Sequence, residues 1–179
     1  MNKKQEYKDF IVELVKLFKP KLYVEIGARF GYTFNAVAPY CRRAIAVDPI
    51  SDVKLSDNVR QYKVTSNAFV AMAAESNLKI DLLFIDGDHS SKQVMNDFIE
   101  IGKFVVPETG LILLHDTFPV HVDLLSETRC GDAWKVAKEI RSFFASWEIV
   151  TLPGPWAGLS IIRKLSPEKL NRHGWMENI

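Results

Sequence analysis

The sequence predicts an α/β fold, a doubly wound and mostly parallel seven-stranded sheet with a C-terminal antiparallel hairpin strand. Short, wholly apolar runs such as Leu82 to Ile85 and Leu111 to Leu114 recur along the chain. A strand without a polar face is buried on both sides, as in parallel sheets covered by helices. Between these runs, apolar residues fall at helical spacing. Near the end of the chain two β-rich runs are joined through Pro153-Gly154-Pro155, too short a link for a helical crossover, so one antiparallel edge strand is expected.

The first element is an amphipathic helix from Tyr7 to Phe18, in which Phe10, Ile11, Leu14, Val15, Leu17 and Phe18 recur at helical spacing and Pro20 supplies the stop. Leu22 to Gly27 is a β-rich run ending in glycine. A helix from Gly31 to about Tyr40 follows, with Thr33 and Asn35 near its start. Ala44 to Val47 is a short strand ending at Asp48-Pro49, and Gln61 to Thr65 is the next. Asn67 to Glu75, rich in alanine, reads as a helix for which Ser66-Asn67 is the simplest N-cap. Leu82 to Ile85 ends at Asp86-Gly87-Asp88, and the helix from Ser91 to Phe104 buries Val94, Met95, Phe98, Ile99 and Ile101. Leu111 to Leu114 ends at His115-Asp116. After an irregular stretch from Thr117 to Asp132, a helix spans Trp134 to Phe144, and strands over Trp147 to Leu152 and Leu159 to Arg163 close the sheet.

A length of 179 residues fits one domain: an N-terminal helix over 1–20, a core over 21–165 and a polar tail over 166–179. Lys+Arg 23 against Asp+Glu 22 leaves a formal charge of +1, so no global field draws the chain to nucleic acid or to an anionic membrane. Two cysteines do not make a disulfide framework. The apolar runs fall far short of the roughly 20 residues that cross a bilayer, and the N-terminus lacks a signal-peptide pattern. A cytoplasmic protein acting on a small molecule is expected, with neither a nucleic acid nor a membrane as partner, and with a homo-oligomer left open.

In open α/β sheets ligands bind beyond the carboxyl ends of the strands, near the switch in strand order. Here those ends carry Glu25, Gly27 and Gly31, then Asp48, Ser66-Asn67, Asp86-Gly87-Asp88-His89 and His115-Asp116. Each has a bland explanation as a cap or a turn; the joint placement does not. Asp48 lies 21 residues after Gly27, close to the roughly 20 that separate a glycine turn from a ribose-binding acid. That spacing suggests an adenosine-containing ligand. The turn reads Glu25-x-Gly27-x-x-x-Gly31 rather than G-x-G-x-x-G. A carboxylate there repels a pyrophosphate but suits an ammonium or sulfonium charge. S-adenosylmethionine is therefore favoured over a nicotinamide dinucleotide.

With Val24-Glu25-Ile26-Gly27, Gly31, Asp48, Ile85-Asp86-Gly87-Asp88-His89 and Leu113-Leu114-His115-Asp116, the chain resembles class I S-adenosylmethionine-dependent methyltransferases, and among them small O-methyltransferases. The resemblance implies a Rossmann-like methyltransferase fold. It also implies that Glu25 holds the cofactor's amino acid end, that Gly27 lets it approach the backbone beside Gly31, and that Asp48 binds the ribose hydroxyls, with Ser66 and Asn67 near the adenine. Asp86 would border the cofactor and serve catalysis, and His89 would be the general base. In metal-using relatives the Asp86 and Asp116 positions, helped by the residue before Asp116, hold Mg²⁺. His115 departs from that pattern, because imidazole is a poor ligand for hard Mg²⁺ and shifts the preference toward Mn²⁺, Zn²⁺ or Fe²⁺.

The reaction so implied is transfer of a methyl group to a hydroxyl oxygen of a small acceptor. An activated methyl donor leaves the protein to align the acceptor and remove its proton. The competing readings are an NAD(P)-dependent oxidoreductase and a non-catalytic adenosyl-ligand-binding subunit. The 117–132 stretch, with His121 and Cys130, is placed to border the acceptor, and Trp134 and Trp156 read first as packing residues.

Overall fold

The computed structural model describes residues 3–126, 128–154 and 157–166, with the side chains of residues 3–6 excepted. In chain order the elements are α1 (Lys3–Phe18), β1 (Leu22–Ile26), α2 (Phe34–Val37), β2 (Arg43–Val47), β3 (Val59–Tyr62), α3 (Ser66–Glu75), β4 (Leu82–Ile85), α4 (Ser91–Gly102), β5 (Leu111–His115), α5 (Trp134–Phe143), β6 (Trp147–Leu152) and β7 (Leu159–Lys164). The strands form one seven-stranded sheet in the order β3-β2-β1-β4-β5-β7-β6. The pairs from β3 through β5 are parallel, so these five strands end at the same edge.

Alternation along the strands sends side chains to two separate cores. Leu22, Val24 and Ile26 of β1 join Phe69 of α3, Phe98 and Ile101 of α4, and Val136 and Ile140 of α5 on one face. On the other, Tyr23 joins Tyr7, Ile11 and Val15 of α1 and Phe34 and Val37 of α2. Tyr7, Ile11 and Val15 fall four apart, one stripe of a helix, which is why α1 lies flat on the sheet. Among the described residues no helix is long and apolar enough to cross a membrane.

Several boundaries differ from the sequence expectation, each for a local reason. The helix expected over Gly31 to Tyr40 shrinks to α2 plus a 3₁₀ turn at Ala38–Tyr40. Gly31 has φ +73° and so belongs to the preceding turn, while Pro39 lacks the N–H that would continue an α-helix. The third strand begins at Val59, paired with Ala44, and ends at Tyr62. Thr65 has left it because its hydroxyl accepts from Ala68 N–H at 3.2 Å, making Thr65, not Ser66-Asn67, the N-cap of α3. Phe104 lies outside α4 because its carbonyl accepts from Ile80 N–H at 3.0 Å. Ile99, expected in the core, is 45% exposed.

The reversed strand is β7, and it is not the edge strand expected from the sequence. It runs antiparallel to both β5 and β6 and separates them, leaving β6 at the edge. The expected polar tail, apart from Ser166, and Trp156 lie outside the described residues. Trp134 is half-buried on α5.

Phe98 is buried beneath Phe144 and Trp147, with ring centroids 5.5 and 4.9 Å away. Phe98→Ala should cost about 3–5 kcal/mol, read as a lowered urea midpoint with an unchanged slope.

Candidate functional site

Strand register assembles the site. Ile26 pairs with Val47 and with Ile85, and Ile85 pairs with Leu114. The next residue on each strand is therefore Gly27, Asp48, Asp86 or His115, and these four stand side by side one step beyond Ile26. Because β1 and β4 are neighbours while their crossovers depart in opposite directions, this is the switch in strand order.

The backbone there is tight. Gly27 N–H donates to Val47 O at 2.9 Å and Asp86 N–H to Ile26 O at 2.9 Å. Gly27 has φ +88°, and a Cβ on it would lie 2.2 Å from the Asp86 carbonyl oxygen. Only glycine fits. Asp116 also stands in the left-handed region, at φ +60°, although its side chain is buried. A strained residue of this kind persists where the surrounding structure holds it.

These elements enclose a cleft of about 1380 Å³, lined by Glu25, Gly27, Asp48, Asp86, His89 and Asp116 among others. Ligand pockets usually measure about 300–1,000 Å³, so a nucleoside-bearing cofactor and a second small molecule fit together. Gly31, Ser66 and Asn67 do not line it. Gly31 closes the turn by donating to Ala28 O at 2.7 Å. Ser66 and Asn67 face α4 instead, where Gln93 Nε2 donates to Ser66 Oγ at 3.2 Å and to Asn67 Oδ1 at 3.0 Å, and Asn96 Nδ2 donates to Asn67 Oδ1 at 2.9 Å.

Glu25 is 2% exposed. Burial pushes its carboxyl up to about 8, with Asp86 and Asp48 adding to the rise and hydrogen bonds from Tyr23 and the Phe34 backbone opposing it. The Tyr23 hydroxyl donates to Glu25 Oε2 at 2.5 Å. Glu25 is thus largely protonated at neutral pH in the protein alone, and a cationic ligand would favour its charged form.

The second cluster lies on the β4 and β5 ends. His115 Nδ1 is 3.0 Å from Asp86 Oδ1 and 3.1 Å from Asp116 Oδ1. Burial alone would depress the imidazole, but Asp86 and Asp116 outweigh it and raise His115 to about 10. His115 Nε2 is buried without a partner among the described residues. His89 Nε2 stands 3.6 Å from Asp116 Oδ2, and its side chain is 31% exposed. Donor atoms of Asp86, His115 and Asp116 all lie within 4.8 Å of one another. Two carboxylates and one imidazole form a donor set that fits a borderline divalent cation better than Mg²⁺.

Several cleft residues carry no local sequence signal. Tyr7 of α1 reaches the site, with its ring centroid 4.4 Å from that of His115. Burial raises its phenol, with Asp86 adding to the effect and Thr33 opposing it. Leu124, Arg129, Cys130 and Asp132 bring the 117–132 stretch to the cleft wall. His121 is exposed and starts a 3₁₀ turn at Val122–Leu125.

A family model described as a methyltransferase domain matches residues 24–117, just over half of the chain. No curated protein sequence matches. Solved structures with a similar fold include an O-methyltransferase from Bacillus cereus in complex with SAH (15% identity, 89% of this chain and 80% of that one, TM-score 0.64). They also include TomG, an O-methyltransferase from Streptomyces achromogenes involved in tomaymycin synthesis, in complex with SAM (12% identity, 90% and 80%, TM-score 0.65). The N-methyltransferase NodS from Bradyrhizobium japonicum is a third (12% identity, 91% and 97%, TM-score 0.62).

Glu25 yields a pH prediction. A carboxyl raised from its ordinary 4.5 to about 8 in the fold supports stability fully below 4.5 and loses that support as pH rises toward and through 8. Glu25→Gln should therefore become more stable relative to the parent between about pH 5 and pH 9, measured by thermal unfolding without ligand.

Proposed function

Given that the chain belongs to the methyltransferase-domain family, we propose that it moves the methyl group of S-adenosylmethionine to a hydroxyl oxygen of a small acceptor. The observation that carries this reading is one cleft with two chemistries. Gly27, Glu25 and Asp48 stand at the β1 and β2 ends, and Asp86, His89, His115 and Asp116 at the β4 and β5 ends. The similar structures whose descriptions name SAH or SAM support the choice of donor.

In this reading the donor lies over the Gly27 turn. The Glu25 carboxylate faces its ammonium group, and Asp48 accepts from ribose hydroxyls. Glu25 gives up its proton as the positive ligand arrives. The acceptor sits toward β5, in line with the sulfonium methyl. As the acceptor oxygen bonds to the methyl carbon, the carbon–sulfur bond breaks toward S-adenosylhomocysteine, and the hydroxyl proton passes to the His89 imidazole. Asp116, already beside His89 Nε2, stabilises the imidazolium that results. Asp86, His115 and Asp116 would hold a divalent cation of the Mn²⁺, Zn²⁺ or Fe²⁺ kind, which when bound makes the acceptor hydroxyl more acidic.

Calorimetric titration with S-adenosylmethionine, S-adenosylhomocysteine and NAD tests the donor. The first two should bind and NAD should not; tight NAD binding alone would reverse the assignment. A screen of catechols and sugars for S-adenosylhomocysteine release tests the acceptor. His89→Ala should keep donor affinity within about twofold and lower turnover by about 10²-fold or more. Unchanged turnover would remove His89 from the chemistry.

A further inference from the structure

The residues that close the 117–132 stretch contact the proposed base from behind. Cys130 is buried and lines the same cleft as Asp116. Gly131 has φ +52° and passes so near the β4–α4 loop that a Cβ on it would lie 2.4 Å from the His89 carbonyl oxygen. Asp132 donates its own N–H to that carbonyl at 3.1 Å. The Asp132 carboxylate accepts from Ser91 N–H at 2.5 Å and from Ser91 Oγ at 3.0 Å, with Lys135 Nζ at 3.0 Å.

Helix capping accounts for the Ser91 N–H contact alone, not for the bond from Asp132 N–H to the His89 carbonyl or for the close approach of Gly131. Ser90 already caps α4, accepting from Gln93 N–H at 3.3 Å. Nor does burial fix His89, whose side chain is 31% exposed. The backbone of His89 is held by a residue 43 positions later. The same segment is fastened to the cleft wall, because Cys130 N–H donates to Leu124 O at 2.9 Å and Gly131 N–H to Ser126 O at 3.0 Å.

We propose that Gly131 and Asp132 form a clamp that sets His89 against Asp116, with Asp132 the positioning residue for His89. Their catalytic relevance rests on the methyl-transfer reading of His89.

The chain has four histidines, so diethyl pyrocarbonate modification can be followed site by site by mass spectrometry without a known acceptor. Asp132→Ala should change the rate at His89 by about threefold or more while His121 reacts as in the parent. Asp132→Asn, which keeps an oxygen for Ser91 N–H, should restore most of the parent rate. With the acceptor found by the screen, Asp132→Ala should lower kcat about tenfold and leave KM for S-adenosylmethionine within about twofold. In a His89→Ala background the same substitution should cost nothing further. Parent-like reactivity of His89 in Asp132→Ala, or an equal loss of kcat in the two backgrounds, would overturn the clamp. A parent protein that does not bind S-adenosylmethionine in calorimetry would instead overturn the methyl-transfer reading, and the modification rates would still report on the clamp.

Discussion

The imidazole of His115 lodged between Asp86 and Asp116 makes the carboxyl edge of this sheet possible. Glu25, Asp48, Asp86 and Asp116 all converge on one cleft, and carboxylates brought together in a partly dry space repel one another. The fold relieves that congestion in two ways. His115 shares its Nδ1 with both later acids, while Glu25, buried against Tyr23, keeps its proton into the neutral range. The residual demand for positive charge is a statement about ligands. In the proposed reading a sulfonium donor would meet it on the β1 side, and a divalent cation would suit the donor set on the β5 side.

Much of this was legible in the sequence. Apolar runs without a polar face located the strands, and polar residues placed directly after such runs located Asp48, Asp86, His115 and Asp116. Elements failed where a single side chain redirected the backbone. Pro39 cut the second helix short, Thr65 left its strand to cap α3, and Phe104 turned away to pair with Ile80. The place of β7 between β5 and β6 was not legible, since local pattern shows that two strands form a hairpin but not which of them meets the sheet.

Site residues followed the same division. Those at strand ends announce themselves; those that reach the cleft from elsewhere do not. Tyr7 meets His115 across 108 positions, and Asp132 meets Ser91 across 41, distances over which no spacing rule operates. Ser66 and Asn67 had the right composition for a ligand contact, yet their polar atoms answer to Gln93 and Asn96. Composition marked them, and helix-to-helix hydrogen bonding accounts for them.

The reversed strand has a consequence for the order in which the molecule becomes whole. β1 through β5 can pair with one another as they are made, but β5 gains its second neighbour only when β7 arrives, with Leu114 meeting Ser160 and His115 meeting Leu159. Ser160 Oγ then donates to Thr117 Oγ1 at 2.9 Å, and Phe118 N–H to Ala157 O at 2.6 Å. The last strand of the chain thus completes the pairing of β5 from the far end of the sequence, a long-range closure of the kind that slows folding.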